Sequence, residues 1–278
     1  MMTIKEAIKS SKKHNLKTLE ILLLLEKILK SRKELILANI NKNLTKQEEH
    51  KLLIQINNIK LGIPIHYITG KKEFMGIKFY INKHVLIPRE DTECLAEEAL
   101  TQIRKHNLNK ILDLCCGSGC IGLTIAYYLK RKVILSDIST KALKVSLKNT
   151  QRLKLENYVE IQHSDLLKCI DKGFELIITN PPYLNKNELK IKEKLAKEPR
   201  VALLGFGKDG LGISKKIIRQ AKHKLTKNGL LIIEMAPWQT ESLKKFAIQK
   251  GFEYLKTIYD IENRERALVL RIKHDTSL

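Results

Sequence analysis

No run of apolar residues in this 278-residue sequence is long enough to cross a bilayer. The longest, ILLLL from Ile21 to Leu25, lies among charges and falls far short of the roughly 20 residues that a spanning helix needs. The lysine-bearing N-terminus also lacks an apolar segment followed by a small-residue cleavage site, so no membrane role is expected and the expected location is cytoplasmic. Cysteine is scarce: five residues, an odd count, with Cys115, Cys116 and Cys120 bunched together, which does not make a secreted disulfide framework. Cys-Cys-x-x-x-Cys lacks the paired spacing of a zinc site and the histidines are scattered, so no metal is expected. Acidic residues are outnumbered 30 to 52 by Lys and Arg, leaving a net charge of +22. Such a charge favours an anionic partner. The excess, however, is lysine spread along the whole chain in a sequence also rich in Ile and Asn, as an AT-rich genome produces, and charge alone names no partner. There is neither an internal repeat nor a low-complexity linker.

What is present is a globular pattern, with 43% apolar residues in a chain long enough for one large or two modest domains. Residues 1–63 read as a small domain of four or five helices. Thr3-Ile-Lys-Glu6 and Thr45-Lys-Gln-Glu48 fit capping boxes, LEILLLLEKIL and HKLLIQINNIKLG carry helical apolar spacing, and Gly62 and Pro64 stop the last helix. Residues 64–88, with short β-favouring runs punctuated by Gly70 and Gly76, read as a β-hairpin linker. Over residues 89–278 strands alternate with helices: KILDLCC, KVILSDI, YVEIQHSD, FELIITN, the helix GISKKIIRQAKHKLTK, GLLIIEMA, then the helix TESLKKFAIQKG. This argues an α/β fold with a mostly parallel sheet covered on both faces. The last two strands, EYLKTIYDI and RALVLRIK, are joined only by ENRE, too short for a crossover, so they are expected as an antiparallel hairpin.

The first strand of that region runs into LDLCCGSGCIGL. Gly117 and Gly119 allow close backbone approach to a ligand, and the following helix offers free N–H groups. Asp137 ends the second strand eighteen residues past Gly119, near the spacing at which an acid accepts from ribose hydroxyls; a helix cap is the competing role, which Ser139 could share. Asp165, at the end of the third strand, is placed to meet an adenine amino group, or else to serve a turn. Cys115 stands where a dinucleotide fingerprint has its first glycine, so an adenosine without a pyrophosphate fits better, and S-adenosylmethionine is the common example. Cys115 and Cys116 also precede a helix whose dipole would favour a thiolate; the competing reading, which weighs more, is that they are small buried fillers.

At the end of the fourth strand comes NPPY, Asn180 to Tyr183. The prolines fix φ and remove two donors, leaving the Asn180 side-chain oxygen and a proline carbonyl as acceptors in a stiff turn. Two such acceptors suit a conjugated amino group with two hydrogens to give, and Tyr183 offers it a planar wall. Catalysis there would rest on positioning and electrostatics.

With these motifs in place the chain resembles a class I S-adenosylmethionine-dependent methyltransferase with a Rossmann-like sheet. More narrowly it is similar to the HemK/PrmC family of protein-glutamine methyltransferases. The similarity extends to GIPIHYITGKKEFMG, LIPREDTE, EPRVAL, GKDGL and NRERALVL. It implies methylation of the glutamine side-chain amide in the Gly-Gly-Gln motif of class I peptide chain release factors, acting as a monomer with no stable nucleic-acid partner. It also implies that Asp113, Cys115, Cys116, Gly117, Ser118, Gly119, Asp137, Ile138, Asp165, Leu166 and Asn180 hold the cofactor. Asn180, Pro181, Pro182 and Tyr183 would form the catalytic glutamine pocket, with Arg89 and Glu90 on the substrate side; a salt bridge from linker to domain is the competing role for these two. Cys115 departs from the family's frequent glycine, and Pro237 and Trp238 depart from its small or polar residues. Residues 185–200 would cover the cleft or meet the partner. The competing functions are methylation of an adenine or guanine amino group in nucleic acid, and a fold retained only for binding.

Overall fold

The computed structural model describes residues 2–14, 16–191, 195 and 197–273. It divides into two compact units, Met1–Lys71 and Lys72–Leu278. The first unit contains α1 (Ile4–Lys13), α2 (Thr18–Leu29), α3 (Lys33–Ala38), α4 (Lys46–Lys60) and α5 (Ile65–Thr69). Both expected capping boxes form. Thr3 Oγ1 accepts from the Glu6 amide at 3.1 Å while Glu6 returns to the Thr3 amide at 2.8 Å, and Thr45 and Glu48 repeat the exchange at 3.2 and 2.8 Å. Ile4, Ile21, Leu24, Leu25, Leu52 and Ile56 meet in the core of this unit.

The stretch IHYIT, taken from sequence as part of the hairpin linker, is a helical turn begun at Pro64. Burial of Ile68 in the same helical core outweighs its β propensity. The turn closes at Gly70, left-handed at φ 71°, and the hairpin follows as β1 (Lys71–Phe74) and β2 (Ile77–Tyr80).

The second unit continues with α6 (Glu93–His106), β3 (Ile111–Leu114), α7 (Cys120–Leu129), β4 (Val133–Asp137), α8 (Thr140–Leu153), β5 (Val159–His163), β6 (Phe174–Thr179), α9 (Lys186–Ile191), α10 (Gly212–Ala221), β7 (Leu225–Glu234), α11 (Thr240–Gln249), β8 (Phe252–Tyr259) and β9 (Glu265–Ile272). The sheet order is β5-β4-β3-β6-β7-β9-β8. All neighbours up to β7 run parallel, whereas β9 is antiparallel to both β7 and β8, as the short ENRE connection requires. Alternate residues feed two cores. Leu176, Ile178, Leu230 and Ile232 face one side with α6 and α7; Ile177, Leu231, Ile233 and Leu268 face the other with α10 and α11. Among the described residues no helix is long and apolar enough to cross a membrane.

One helix is shorter than its sequence suggests. The reading GISKKIIRQAKHKLTK extended through Lys227, but α10 ends at Ala221 and Leu225 already pairs with Phe174 of β6. The Lys224 carbonyl accepts from the Gly173 and Phe174 amides at 2.8 and 3.0 Å, and joining the sheet there overrides local helix propensity.

Asn149 of α8, which is buried, ties the hairpin to the loop after β3. Its Oδ1 accepts from the Tyr80 amide at 2.7 Å, and its Nδ2 donates to the Tyr80 and Ser118 carbonyls, both at 2.9 Å. Asn149→Leu strands all three backbone groups, so urea unfolding is expected to show a loss of about 3 kcal/mol.

Candidate active site

The C-terminal ends of β3, β4 and β6 open into a cavity of about 360 Å³, at the point where successive strands depart to opposite sides of β3. The loop from Cys115 to Gly119 forms one wall. Three of its residues are left-handed: Cys115 at φ 59°, Gly117 at 55° and Gly119 at 79°. At Gly119 a Cβ would lie 2.9 Å from Leu123 Cδ1 and 3.1 Å from Leu135 Cδ1, so glycine is required by both conformation and space. At Gly117 a Cβ would meet nothing within 4 Å, because this backbone faces the open cavity. Cys115 adopts with a side chain the conformation that glycine takes freely, at a cost of about 1–2 kcal/mol.

Of the two readings of these cysteines, the structure favours buried fillers over a thiolate. Burial pushes Cys120 up to about 12 and raises Cys115 and Cys116 strongly; the nearby Asp113 charge adds to all three and Asp137 to the latter two. Burial and acidic neighbours outweigh the helix dipole.

Asp137 lines the cavity with both carboxylate oxygens engaged: Oδ2 accepts from the Gly117 amide at 2.9 Å and Oδ1 from the Ser139 amide at 2.8 Å. The cap of α8 is supplied by Ser139, whose hydroxyl accepts from Ala142 N at 3.2 Å. Burial raises the Asp137 pKa while the Ser139, Gly117 and Ile138 amides oppose the rise. Ser118, Ile138, Asp165 and Leu166 also line the cavity, with Asp165 paired to Lys168 at 2.5 Å. Asp113 and Gly119 stand behind the wall. Asp113 Oδ2 accepts from the Gly122 amide at 2.8 Å, holding the first turn of α7, and burial lifts its pKa to about 7.

Opposite the loop lies the NPPY turn. Asn180 and Pro182 face the cavity; Pro181 and Tyr183 do not line it. Asn180 Nδ2 donates to Thr92 Oγ1 at 3.2 Å. Tyr183 OH donates to Glu234 Oε1 at 3.3 Å, and the Tyr183 carbonyl accepts from Gln239 Nε2 at 2.8 Å. Gly210 packs so closely that a Cβ there would lie 2.1 Å from the Tyr183 oxygen. The turn is therefore clamped from behind by residues that no chemical motif picks out. The stretches LIPREDTE and GKDGL carried Thr92 and Gly210 only as anonymous members of a resemblance, and Gln239 directly follows Trp238.

Arg89 lines the cavity and pairs with the buried Glu198, whose other oxygen accepts from Ile87 N at 3.0 Å. Glu90 instead pairs with Lys72 at 2.9 Å and does not line the cavity. In the segment 185–200, residues 192–194 and 196 lie outside the described residues. Beyond it, exposed Val201 and Phe206 add an apolar rim.

The buried acids set a pH dependence. The folded Asp113 carboxyl holds its proton up to about 7, against an ordinary 3.8, so its contribution to stability is full below about 3.8 and lost as pH rises through 7. Asp113→Asn, which keeps the acceptor for Gly122, is expected to gain stability relative to the wild type between pH 5 and 8 in urea titrations; an unchanged difference would contradict this. Gly119→Ala is expected to cost about 2–3 kcal/mol in the same measurement.

The family model described as Methyltransferase small domain matches residues 92–208. A release factor glutamine methyltransferase from Borreliella burgdorferi is 66% identical over 277 residues, covering 100% of this chain and 97% of its own. One from Clostridium acetobutylicum is 37% identical, covering 89% and 88%. Among solved structures, a methyltransferase from Pyrococcus furiosus aligns with a TM-score of 0.56 at 15% identity, covering 78% of this chain and 100% of its own. The N-terminal domain of human METTL16 in complex with SAH aligns at 0.50 and 16% identity, covering 72% and 77%. At such identities the structures speak for the fold, which is that of a class I methyltransferase. With the long relatives beside that fold, this chain belongs to the release factor glutamine methyltransferase family.

Proposed function

We propose that this enzyme methylates the side-chain amide nitrogen of the glutamine in the Gly-Gly-Gln motif of class I peptide chain release factors. Its methyl donor is S-adenosylmethionine. The observation that carries the site assignment is Asn180, whose amide nitrogen is occupied by Thr92 and whose oxygen remains as an acceptor at the cavity.

An amide nitrogen is a poor nucleophile because its lone pair is delocalised into the carbonyl. Acceptors that hold both of its N–H bonds turn the lone pair toward the methyl, and the Asn180 oxygen with a carbonyl of the rigid Pro181–Pro182 turn suits that task. Tyr183, fixed at its hydroxyl and its carbonyl, stiffens the turn. Such a site works by preorganisation and calls for no strong base.

The residues fit the cofactor on their own chemistry. Gly117 leaves open space where a side chain would stand, and Asp137 presents a carboxylate suited to ribose hydroxyls. Cys115, Cys116 and Ser118 would lie along the cofactor, with Ile138, Asp165 and Leu166 around its adenine; Asp113 and Gly119 would shape the loop from behind. When bound, S-adenosylmethionine supplies an electrophilic sulfonium methyl. We assign Arg89 and the apolar rim to the substrate side of the cavity and leave Glu90, paired to Lys72, at its edge. The helices of residues 1–63 are proposed to dock the release factor, residues 64–88 to link, and residues 89–278 to carry the chemistry.

Mass spectrometry of a release factor incubated with enzyme and S-adenosylmethionine is expected to show one added methyl, absent when the motif glutamine is changed to alanine. Transfer to tRNA, rRNA or DNA instead would favour an adenine or guanine amino group as acceptor. Asn180→Ala is expected to slow transfer by about 100-fold or more, the scale of losing a preorganised polar group, with cofactor affinity largely kept. Asp137→Ala is expected to weaken cofactor binding first, read by calorimetry; an unchanged affinity would remove the ribose assignment.

A further inference from the structure

A side-chain amide has two nearly isosteric ends of opposite polarity. Rotated by half a turn, Asn180 would present its NH₂ to the cavity, and a donor would face the N–H bonds of the bound glutamine. The site therefore works only if something decides which end points in. Neither proline can, since the choice lies in the Asn180 side chain itself.

Thr92 is the contact that makes the choice, because its Oγ1 accepts from Asn180 Nδ2 at 3.2 Å. Its position makes this notable: Thr92 stands at the N-cap of α6, where a threonine hydroxyl ordinarily accepts from the helix's own amides, yet it makes no cap hydrogen bond. It is buried and lines the cavity. A hydroxyl alone, however, decides nothing, since it can donate to an amide oxygen as readily as it accepts from an amide nitrogen. Its direction must be set from elsewhere.

Glu234, at the end of β7, can set it. Burial raises the Glu234 pKa to about 7, while the hydroxyls of Thr92 and Tyr183 favour the ionised form, which only accepts. Tyr183 OH donates to Glu234 Oε1 at 3.3 Å. The carboxylate is buried, with Arg266 as a favourable charge and Asp91 as an unfavourable one. Its other oxygen, Oε2, is buried without a hydrogen-bond partner, a cost that the Thr92 hydroxyl would relieve by turning to it.

We propose that Glu234 and Thr92 are positioning residues that fix the polarity of the active-site amide. Glu234 accepts the hydrogen bond of the Thr92 hydroxyl, Thr92 can then only accept from Asn180, and Asn180 is held with its nitrogen to Thr92 and its oxygen to the substrate. The same carboxylate aligns Tyr183, so one buried acid orders both ends of the NPPY turn. This inference rests on the reading of Asn180 as the glutamine acceptor.

The test uses the full chain with a release factor, and reads kcat, KM for the release factor, cofactor affinity by calorimetry, and melting temperature. Thr92→Val keeps the shape and removes the hydroxyl; kcat is expected to fall about tenfold, the scale of one orienting hydrogen bond, with KM and cofactor affinity within about twofold of wild type. Thr92→Ser restores the hydroxyl and is expected to recover most of kcat. Glu234→Gln, whose amide can donate to Thr92 and reverse its direction, is expected to lower kcat similarly. Thr92→Val combined with Asn180→Ala is expected to be no slower than Asn180→Ala alone, because Thr92 acts only through Asn180. The proposal is overturned if Asn180→Ala is slow while Thr92→Val and Glu234→Gln turn over normally, or if the Thr92 and Asn180 effects multiply. Should Asn180→Ala itself run at the wild-type rate, the glutamine-acceptor reading falls, and this inference with it.

Discussion

The parallel pairing of β3 with β6 is the interaction on which the rest of the site depends. Its register sets Leu114 opposite Thr179, so the residue after each strand, Cys115 on one and Asn180 on the other, emerges at the same level of the sheet. A shift of one residue would turn every side chain of a strand to the other face. Two distant stretches of sequence, a glycine loop and a proline turn, thus become opposite walls of one cavity. The two buried cores on the faces of the sheet hold that register.

Around that pairing the protein spends stability on polarity. Asp113, Asp137 and Glu234 are acids raised in pKa by burial, within a chain whose net charge is +22. The surplus lysines do not neutralise them. Backbone amides and a hydroxyl offset part of their cost, with Arg266 aiding Glu234: Gly122 donates to Asp113, Gly117 and Ser139 to Asp137, Tyr183 to Glu234. Amides and hydroxyls held in fixed directions stabilise charge without the reorganisation that mobile lysines would need, which suits a site working by orientation. The ion pairs of Asp91 with Arg264 and Arg266, and of Asp260 with the same two arginines, tie the residues before α6 to the last hairpin. Thr92 is held in place by that tie, next to Asp91.

Much of this architecture was legible beforehand because it is written in local patterns. The capping boxes at Thr3 and Thr45 need only four residues each, and the antiparallel end of the sheet followed from a connection too short to cross over. What escaped was decided by partners far away in sequence. IHYIT became a helix because Ile68 had a helical core to enter, and LTK became a strand because Phe174 was there to pair with it. The helix start before which the cysteines lie would favour a thiolate, but burial beside two acids raises their pKa, as suits buried fillers.

By itself the sequence determined the order of strands and helices, the glycine loop, the acid at the end of β4 and the stiff NPPY turn after β6, since each depends on backbone geometry within a few consecutive residues. Only the tertiary structure decided which groups support them. Asn149 joins the hairpin to the loop, Gln239 and Gly210 clamp the Tyr183 carbonyl, Glu198 holds Arg89, and Thr92 meets Asn180 across 88 residues of chain. A hydrogen bond between distant residues has no periodicity or spacing to announce it. It exists once the sheet has closed the distance.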